Sequence, residues 1–153
     1  MLHRLELPTP LGPLTLVEEE EALIAVDFRP VYPDAPLAET PLLKQAAREL
    51  QAYFAGRLKA FDLPLRPAGT DFYRQVWRQE ALIPYGEVRT YQQVAEAVGH
   101  PRACRAVGTA NRRNPISILI PCHRIVAKSG SLAGYAGGID KKIYLLALEE
   151  AHR

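Results

Sequence analysis

The sequence has few cysteines, widely separated histidines and no long apolar run. Its two cysteines, Cys104 and Cys122, are too few for a disulfide framework. A zinc site requires about four closely spaced Cys or His ligands, so we predict neither a metal nor another cofactor. No apolar segment approaches the roughly 20 residues of a membrane-spanning helix, and the first residues lack the apolar core of a signal peptide. We therefore expect a cytoplasmic protein that does not act at a membrane.

Charge is unevenly distributed along a chain of ordinary globular composition. The 153 residues are 48% hydrophobic and 24% charged, which is sufficient for one domain or two small ones. Residues 1–64 contain 6 Lys or Arg and 10 Asp or Glu, whereas residues 65–153 contain 13 and 7. A polyanion such as nucleic acid is therefore expected to bind the second part, although an ordinary solvated basic surface would give the same charge.

The first part of the chain alternates as strands do. Short apolar runs at 2–7, 14–18 and 22–28 predict strands, and the four glutamates at 18–21, where the last two runs are split, predict a solvated hairpin turn. Thr40 and Pro41 are typical of a helix start, and Gly56 ends the apolar periodicity that follows. Residues 1–64 are therefore expected to form a small α/β domain, an antiparallel sheet with one helix.

The second part is mainly helical, after a Pro-rich linker at 63–69. Helices are predicted at 70–82, at 90–98, where Thr90 and Gln93 form a capping box, and at about 101–111. The last two, joined by a Gly-His turn, form a helix-turn-helix pattern. The apolar run 116–120 predicts a short buried strand or extended segment, and a final helix is predicted at about 139–150. Residues 65–153 form the second predicted domain.

Cys122 follows the buried run and a proline, and His123 follows Cys122. A thiol becomes a strong nucleophile as its thiolate, which a nearby base can generate. Adjacent side chains usually point apart, so we expect a water to link the two, with Glu149 or Glu150 holding the histidine. The alternative is a buried structural cysteine beside a core histidine, and this short pattern by itself favours that alternative.

The basic side chains of the second part cluster on and after the second helix of the helix-turn-helix, at Arg102, Arg105, Arg112 and Arg113. Such a helix commonly docks on DNA while basic residues contact phosphates. An ordinary helical hairpin with exposed arginines explains them equally well. Tyr91 and Tyr135 could stack on a base or could simply pack.

Six short runs between Phe72 and Glu149 carry a family resemblance. They are Tyr85-Gly86-Glu87-Val88, Tyr91-Gln92-Gln93, Arg105-Ala106-Val107-Gly108, Asn114-Pro115, Ile120-Pro121-Cys122-His123-Arg124 and Gly134-Tyr135-Ala136-Gly137-Gly138. In this order and spacing they resemble the catalytic domain of the O6-alkylguanine-DNA alkyltransferases, also called methylated-DNA–protein-cysteine methyltransferases. The resemblance covers about half of the chain.

The resemblance implies catalytic roles for five residues. Cys122 would accept the alkyl group, and His123 would act through water as its base. Glu149 rather than Glu150 would orient His123. Asn114 would support the turn of the site, and Tyr91 would contact a phosphate or the flipped base. Tyr91 or a nearby donor could protonate the leaving guanine.

The resemblance also implies a set of DNA-binding residues. Arg105 would fill the gap that the flipped nucleotide leaves, and Arg112 would bind DNA. Tyr135, Ala136 and Gly137 would line the guanine pocket, where many family members have serine in place of Ala136. The partner would be double-stranded DNA containing O6-alkylguanine, bound by a monomer that reacts once.

Two other functions remain open at this point. A non-catalytic sensor or regulator would bind the same lesion without repairing it, although the sister group that does so has tryptophan in place of Cys122. A cysteine hydrolase would use Cys122 and His123 with a carboxylate. The cysteine ligands of the zinc that some family members hold are absent here.

Overall fold

The computed structural model describes residues 1–132, 135 and 137–153. Its internal contacts divide the chain into two compact units, Met1–Pro67 and Ala68–Arg153. The boundary lies within the predicted linker at 63–69.

The first unit contains an antiparallel sheet of three consecutive strands. They are β1 (Leu2–Leu7), β2 (Leu14–Glu19) and β3 (Ala22–Asp27). Glu20 and Glu21 connect β2 to β3 with φ angles of 50° and 64°. Two consecutive residues with positive φ are typical of the tight turn whose twist matches a hairpin.

The prediction of a solvated turn for all four glutamates was wrong for Glu18 and Glu19. Both belong to β2, and Glu18 is buried, where its carboxylate accepts a hydrogen bond from the Thr40 hydroxyl. Only Glu20 and Glu21 form the turn. The carboxylate of Glu18 can be buried because Thr40 supplies a donor.

Helix α1 (Pro41–Phe54) covers the sheet as its sequence predicts. The Thr40 side chain accepts a hydrogen bond from the backbone N–H of Leu43 at 3.1 Å and thus caps the first turn. The helix buries one apolar face against β2, made of Leu43, Ala46, Leu50 and Tyr53.

The second unit is mainly helical, which confirms the predicted fold class. Its helices are α2 (Asp71–Ala81), α3 (Tyr91–Ala97), α4 (Cys104–Arg112) and α5 (Ile139–Ala151). The sequence did not predict its parallel pair of two-residue strands, β4 (Arg89–Thr90) and β5 (Ile125–Val126). The indole Nε1 of Trp77 donates to the carbonyl of Ala110 at 2.8 Å and ties α2 to α4.

Helices α3 and α4 pack against each other as the predicted helix-turn-helix. Thr90 and Gln93 form the expected capping box. Helix α4 begins at Cys104, three residues after the predicted start, because the N–H of Ala103 closes a separate turn onto the carbonyl of His100 at 2.9 Å. Gln92 stabilises this turn, since its amide donates to the carbonyl of Pro101 at 2.9 Å.

None of the helices in the described part of the chain has the length and apolar character needed to cross a membrane.

Candidate active site

The apolar run at 116–120 is buried but is not a strand. Ile118 has a φ of 73°, and the N–H of Ile120 returns to the carbonyl of Ile116 at 3.1 Å. The predicted extended segment was therefore wrong, because the run folds into a tight turn. The burial that its composition predicts is confirmed, since Ile116, Ile118 and Ile120 are all inaccessible to solvent.

Asn114 holds this turn closed with its side chain. Its amide Nδ2 donates to the carbonyl of Ile120 at 2.9 Å, and its Oδ1 accepts from the N–H of Ile116 at 3.0 Å. Asn114 is itself buried, so these bonds are made away from competing water. The side chain thereby fixes the backbone that leads directly into Pro121 and Cys122.

Cys122 begins a single 3₁₀ turn, Cys122–Arg124, and only 1% of its surface is accessible. The pKa of its thiol is raised to about 12, chiefly by burial and also by the charge of Glu80. A hydrogen bond from Asn114 and the charge of Lys142 act in the opposite direction. The sulfur is therefore held as a thiol at neutral pH and needs a base in order to react.

His123 lies fully buried next to that thiol. Its Nε2 donates to Oε2 of Glu149 at 2.7 Å, and its Nδ1 has no hydrogen-bond partner in the described part of the chain. Because a carboxylate only accepts, this bond fixes the proton on Nε2 and leaves the Nδ1 lone pair as the acceptor. Burial lowers the pKa of His123, against the raising effect of Glu149, so the ring is neutral at pH 7.

Glu149 is positioned by more than the histidine. Arg124 donates to its two oxygens, from Nε at 2.8 Å and from Nη2 at 3.0 Å, and the N–H of Gly86 donates at 3.1 Å. Arg124 also donates from Nη1 to the carbonyl of Ile83 at 2.6 Å. A carboxylate with this many donors is held ionised and in one orientation. Glu150, the alternative left open by the sequence, is exposed and pairs with Arg153.

Gly86 donates its hydrogen bond to Glu149 from a backbone conformation that favours glycine. Its φ is 77°, which L side chains rarely adopt. A Cβ at this position would lie 2.7 Å from Cγ of Arg153, an exposed side chain that could move aside.

Three of the predicted DNA-contacting residues, Tyr91, Arg105 and Arg112, line an open cavity of about 610 Å³. Its other lining residues are Cys104, Gly108, Thr109 and Ala127. The Tyr91 ring packs on α4 at Gly108, where a Cβ would lie 3.8 Å from the ring, in ordinary van der Waals contact. Burial raises the pKa of Tyr91, so its hydroxyl stays protonated at neutral pH. Arg105 and Arg112 are exposed.

The glycine-rich segment before α5 is described only in part. Tyr135 is buried, and its carbonyl accepts from the N–H of Gly138 at 3.1 Å. Gly137 is half-buried in the turn that follows. Ala136, predicted to line the guanine pocket, lies outside the described residues. No cluster of three metal-binding side chains occurs within residues 1–132, 135 and 137–153.

Two family models together match nearly the whole chain. Residues 71–151 match the DNA-binding domain of 6-O-methylguanine DNA methyltransferase, and residues 4–67 match its ribonuclease-like domain. The chain belongs to this methyltransferase family. The resemblance that the sequence motifs indicate is thereby confirmed.

Individual family members are similar over most of their length. A methylated-DNA–protein-cysteine methyltransferase of Methanosarcina barkeri is 49% identical, covering 93% of each chain. The constitutive enzyme of that name from Bacillus subtilis is 45% identical, covering 92% of this chain and 91% of the relative.

Solved structures of the family agree with the fold. The crystal structure of Mycobacterium tuberculosis O6-methylguanine methyltransferase has a TM-score of 0.92 at 41% identity, covering 100% of this chain and 95% of the other. The Mycobacterium tuberculosis protein in complex with DNA has the same score and identity, covering 98% and 94%.

Three ionisable side chains near Cys122 were not predicted as site residues. Arg124 binds Glu149, while Glu80 and Lys142 lie buried in electrostatic range of Cys122. The position of Arg124, two residues after the cysteine, was a usable signal. Helix periodicity gave a second signal, because Lys142 shares a face of α5 with Leu145 and Glu149.

Proposed function

We propose that this protein repairs DNA by transferring the alkyl group of O6-alkylguanine in duplex DNA irreversibly to Cys122. The observation that supports it most strongly is the buried His123–Glu149 hydrogen bond beside the cysteine. This bond leaves Nδ1 of His123 as a proton acceptor on the residue next to the nucleophile. A buried thiol whose pKa is about 12 requires such a base.

In the proposed reaction, Cys122 Sγ attacks the alkyl carbon while the bond from that carbon to O6 breaks. A water bound at Nδ1 would carry the thiol proton to His123, and Glu149 would stabilise the imidazolium that forms. The leaving guanine takes a proton from the Tyr91 hydroxyl, which His123 then restores through water. One S–C bond replaces one C–O bond, and the proton of the thiol ends on guanine.

The thioether product explains why the protein would act once. A thioether carbon is not displaced under physiological conditions. Each chain would therefore repair one lesion.

We propose that Arg105 replaces the flipped nucleotide in the base stack. The alkylated oxygen lies inside the duplex, and extruding the nucleotide costs a few kcal/mol. Arg105 is exposed on α4 and borders the same cavity as Tyr91, as this role requires. Arg112 would bind a phosphate, and Tyr135, Ala136 and Gly137 would receive the guanine.

The experiment is a mass measurement with a duplex oligonucleotide containing one O6-methylguanine. The proposal predicts that the intact chain gains the mass of one methylene group and that the gain maps to the peptide containing Cys122. The Cys104→Ser variant should gain the same mass, and Cys122→Ser should gain none.

Other outcomes point to other functions. Tight binding to the methylated duplex without a mass change would contradict transfer and support a lesion sensor. Repeated cleavage of an ester or peptide by Cys122 would support a hydrolase.

We further propose that residues 1–64 and 65–153 are separate domains, the second being catalytic and DNA-binding, and that the protein is a cytoplasmic monomer without a cofactor. Sedimentation equilibrium at micromolar concentration should give the 17.0 kDa mass of one chain. Full alkyl transfer should persist after dialysis against a chelator.

A further inference from the structure

The amide side chain of Gln92 joins the first turn of α3 to the segment that begins α4. Its Nε2 donates to the carbonyl of Pro101 at 2.9 Å and to Oε1 of Glu96 at 3.2 Å. Its Oε1 accepts from Sγ of Cys104, the first residue of α4, at 2.8 Å. The carbonyl and the carboxylate only accept, so they fix the amide with its oxygen toward Cys104.

The start of α4 depends on these contacts. The residue before the helix is Ala103, whose methyl group cannot accept a hydrogen bond from the N–H groups of the first turn. Because Ala103 supplies no cap, the bonds that Gln92 makes to Pro101 and Cys104 are what ties this end of α4 to α3.

Gln92 lies next to both residues that the proposed reaction uses on duplex DNA. It follows Tyr91 in the sequence, and the residue it binds, Cys104, precedes Arg105. Tyr91, Cys104 and Arg105 line the same cavity. Arg105 is exposed, so its position relative to Tyr91 is set by the backbone of α4 rather than by packing of its own side chain.

We propose that Gln92 is a positioning residue that fixes the first turn of α4 against α3 and so holds Arg105 in place to enter the base stack. This inference rests on the proposed function, since it extends the role given there to Arg105. With the start of α4 fixed in the free protein, less ordering accompanies DNA binding. Loss of the amide should therefore impair reaction with duplex DNA and spare the reaction at Cys122 itself.

The test compares second-order rate constants for a duplex containing O6-methylguanine and for the free base O6-benzylguanine. In Gln92→Ala we expect the duplex rate to fall about fivefold, within the range that one hydrogen bond contributes, while the free-base rate stays within about twofold of wild type. Alanine is favourable in a helix, so α3 should keep its structure. Equal losses on both substrates, or no loss on the duplex, would overturn the proposal. Gln75→Ala, at an exposed glutamine of α2, is the matched control and should change neither rate.

A double-mutant cycle with Arg105→Ala shows whether Gln92 acts through Arg105. Once the arginine is absent, Gln92→Ala should change the duplex rate by less than about twofold, because the side chain that it positions is gone. The same loss in both backgrounds would show that Gln92 acts on DNA independently of Arg105 and would contradict the proposal.

Cys104 provides a conservative pair of variants. Cys104→Ser keeps a donor for Oε1 of Gln92 and should retain the duplex rate, whereas Cys104→Ala lacks the donor and should show a duplex-specific loss in the same direction as Gln92→Ala. Equal behaviour of the two variants would contradict the role of this hydrogen bond. Alkyl transfer is read separately from the free base, without DNA, so its failure is distinguishable from failure of this inference.

Discussion

Nε2 of His123 lies 2.7 Å from Oε2 of Glu149, and both side chains are almost completely buried. The two residues are separated by 26 positions in the sequence and meet because α5 packs against the 3₁₀ turn. Arg124 binds the same carboxylate from the other end of the turn. The pair therefore links the reactivity of the thiol to the packing of the last helix.

Replacing the carboxylate should damage both stability and transfer. In Glu149→Gln the amide NH₂ faces the donors of Arg124, which leaves a buried guanidinium without its counter-charge. Breaking a buried ion pair in this way costs about 3–5 kcal/mol. Urea denaturation should show the lower free energy of unfolding. The rate of methyl transfer, measured without urea, should also fall. Glu150→Gln, its exposed neighbour, should change neither quantity.

The buried histidine should give the protein a pH-dependent stability. The pKa of His123 is lowered from 6.5 in the folded protein, so below pH 6.5 the unfolded chain takes up a proton that the native chain does not. The free energy of unfolding should therefore fall with decreasing pH, by at most about 1.4 kcal/mol per unit. Denaturation between pH 6.5 and 5.5 measures the slope.

His123→Gln should remove the contribution of His123 to the pH dependence of the free energy of unfolding. His100→Gln, at an exposed histidine, should retain it. Equal slopes for wild type and His123→Gln would show that the native ring titrates as freely as the unfolded one.

Arg105→Ala should impair nucleotide flipping without impairing the alkyl-transfer step itself. The substitution should slow reaction with a methylated duplex far more than reaction with the free base O6-benzylguanine, because only the duplex requires extrusion of a nucleotide. Single-turnover kinetics on both substrates gives the ratio. Arg48→Ala, at an exposed arginine of α1, is the matched control. Equal losses on the two substrates would rule out the stacking role.

Tyr91→Phe should slow transfer with little effect on DNA affinity. The ring and its packing on Gly108 remain, and only the hydroxyl that protonates guanine is lost. General acid catalysis contributes about 10²- to 10⁴-fold, so we expect a loss within that range. Tyr144→Phe, on the exposed side of α5, should react as wild type. A normal rate in Tyr91→Phe would assign the proton donor elsewhere.

The elements set by local chemistry could be predicted from the sequence. Thr40 and Pro41 predict the start of α1, and the apolar period predicts its buried face. The start of α4 was misplaced because a turn closed by His100 precedes it. Propensity alone does not distinguish such a turn from the first turn of a helix.

Hydrogen bonds between side chains and distant backbone groups, and the burial of charged side chains, could not be predicted from local sequence patterns. The run at 116–120 has the composition of a strand, but hydrogen bonds from the Asn114 side chain stabilise it as a turn. Glu80 and Lys142 have the residue types of a solvated helix face, and their burial depends on tertiary packing. The pairing of Cys122, His123 and Glu149 followed from the family motifs, because no local pattern relates positions so far apart.

Stoichiometry tests the central claim most directly. A fixed amount of protein is titrated with duplex DNA containing tritiated O6-methylguanine, and protein-bound label is counted. We predict a plateau at one methyl group per chain, with none in Cys122→Ser. Label released as a small product in molar excess over protein, or label retained by Cys122→Ser, would contradict irreversible transfer to Cys122.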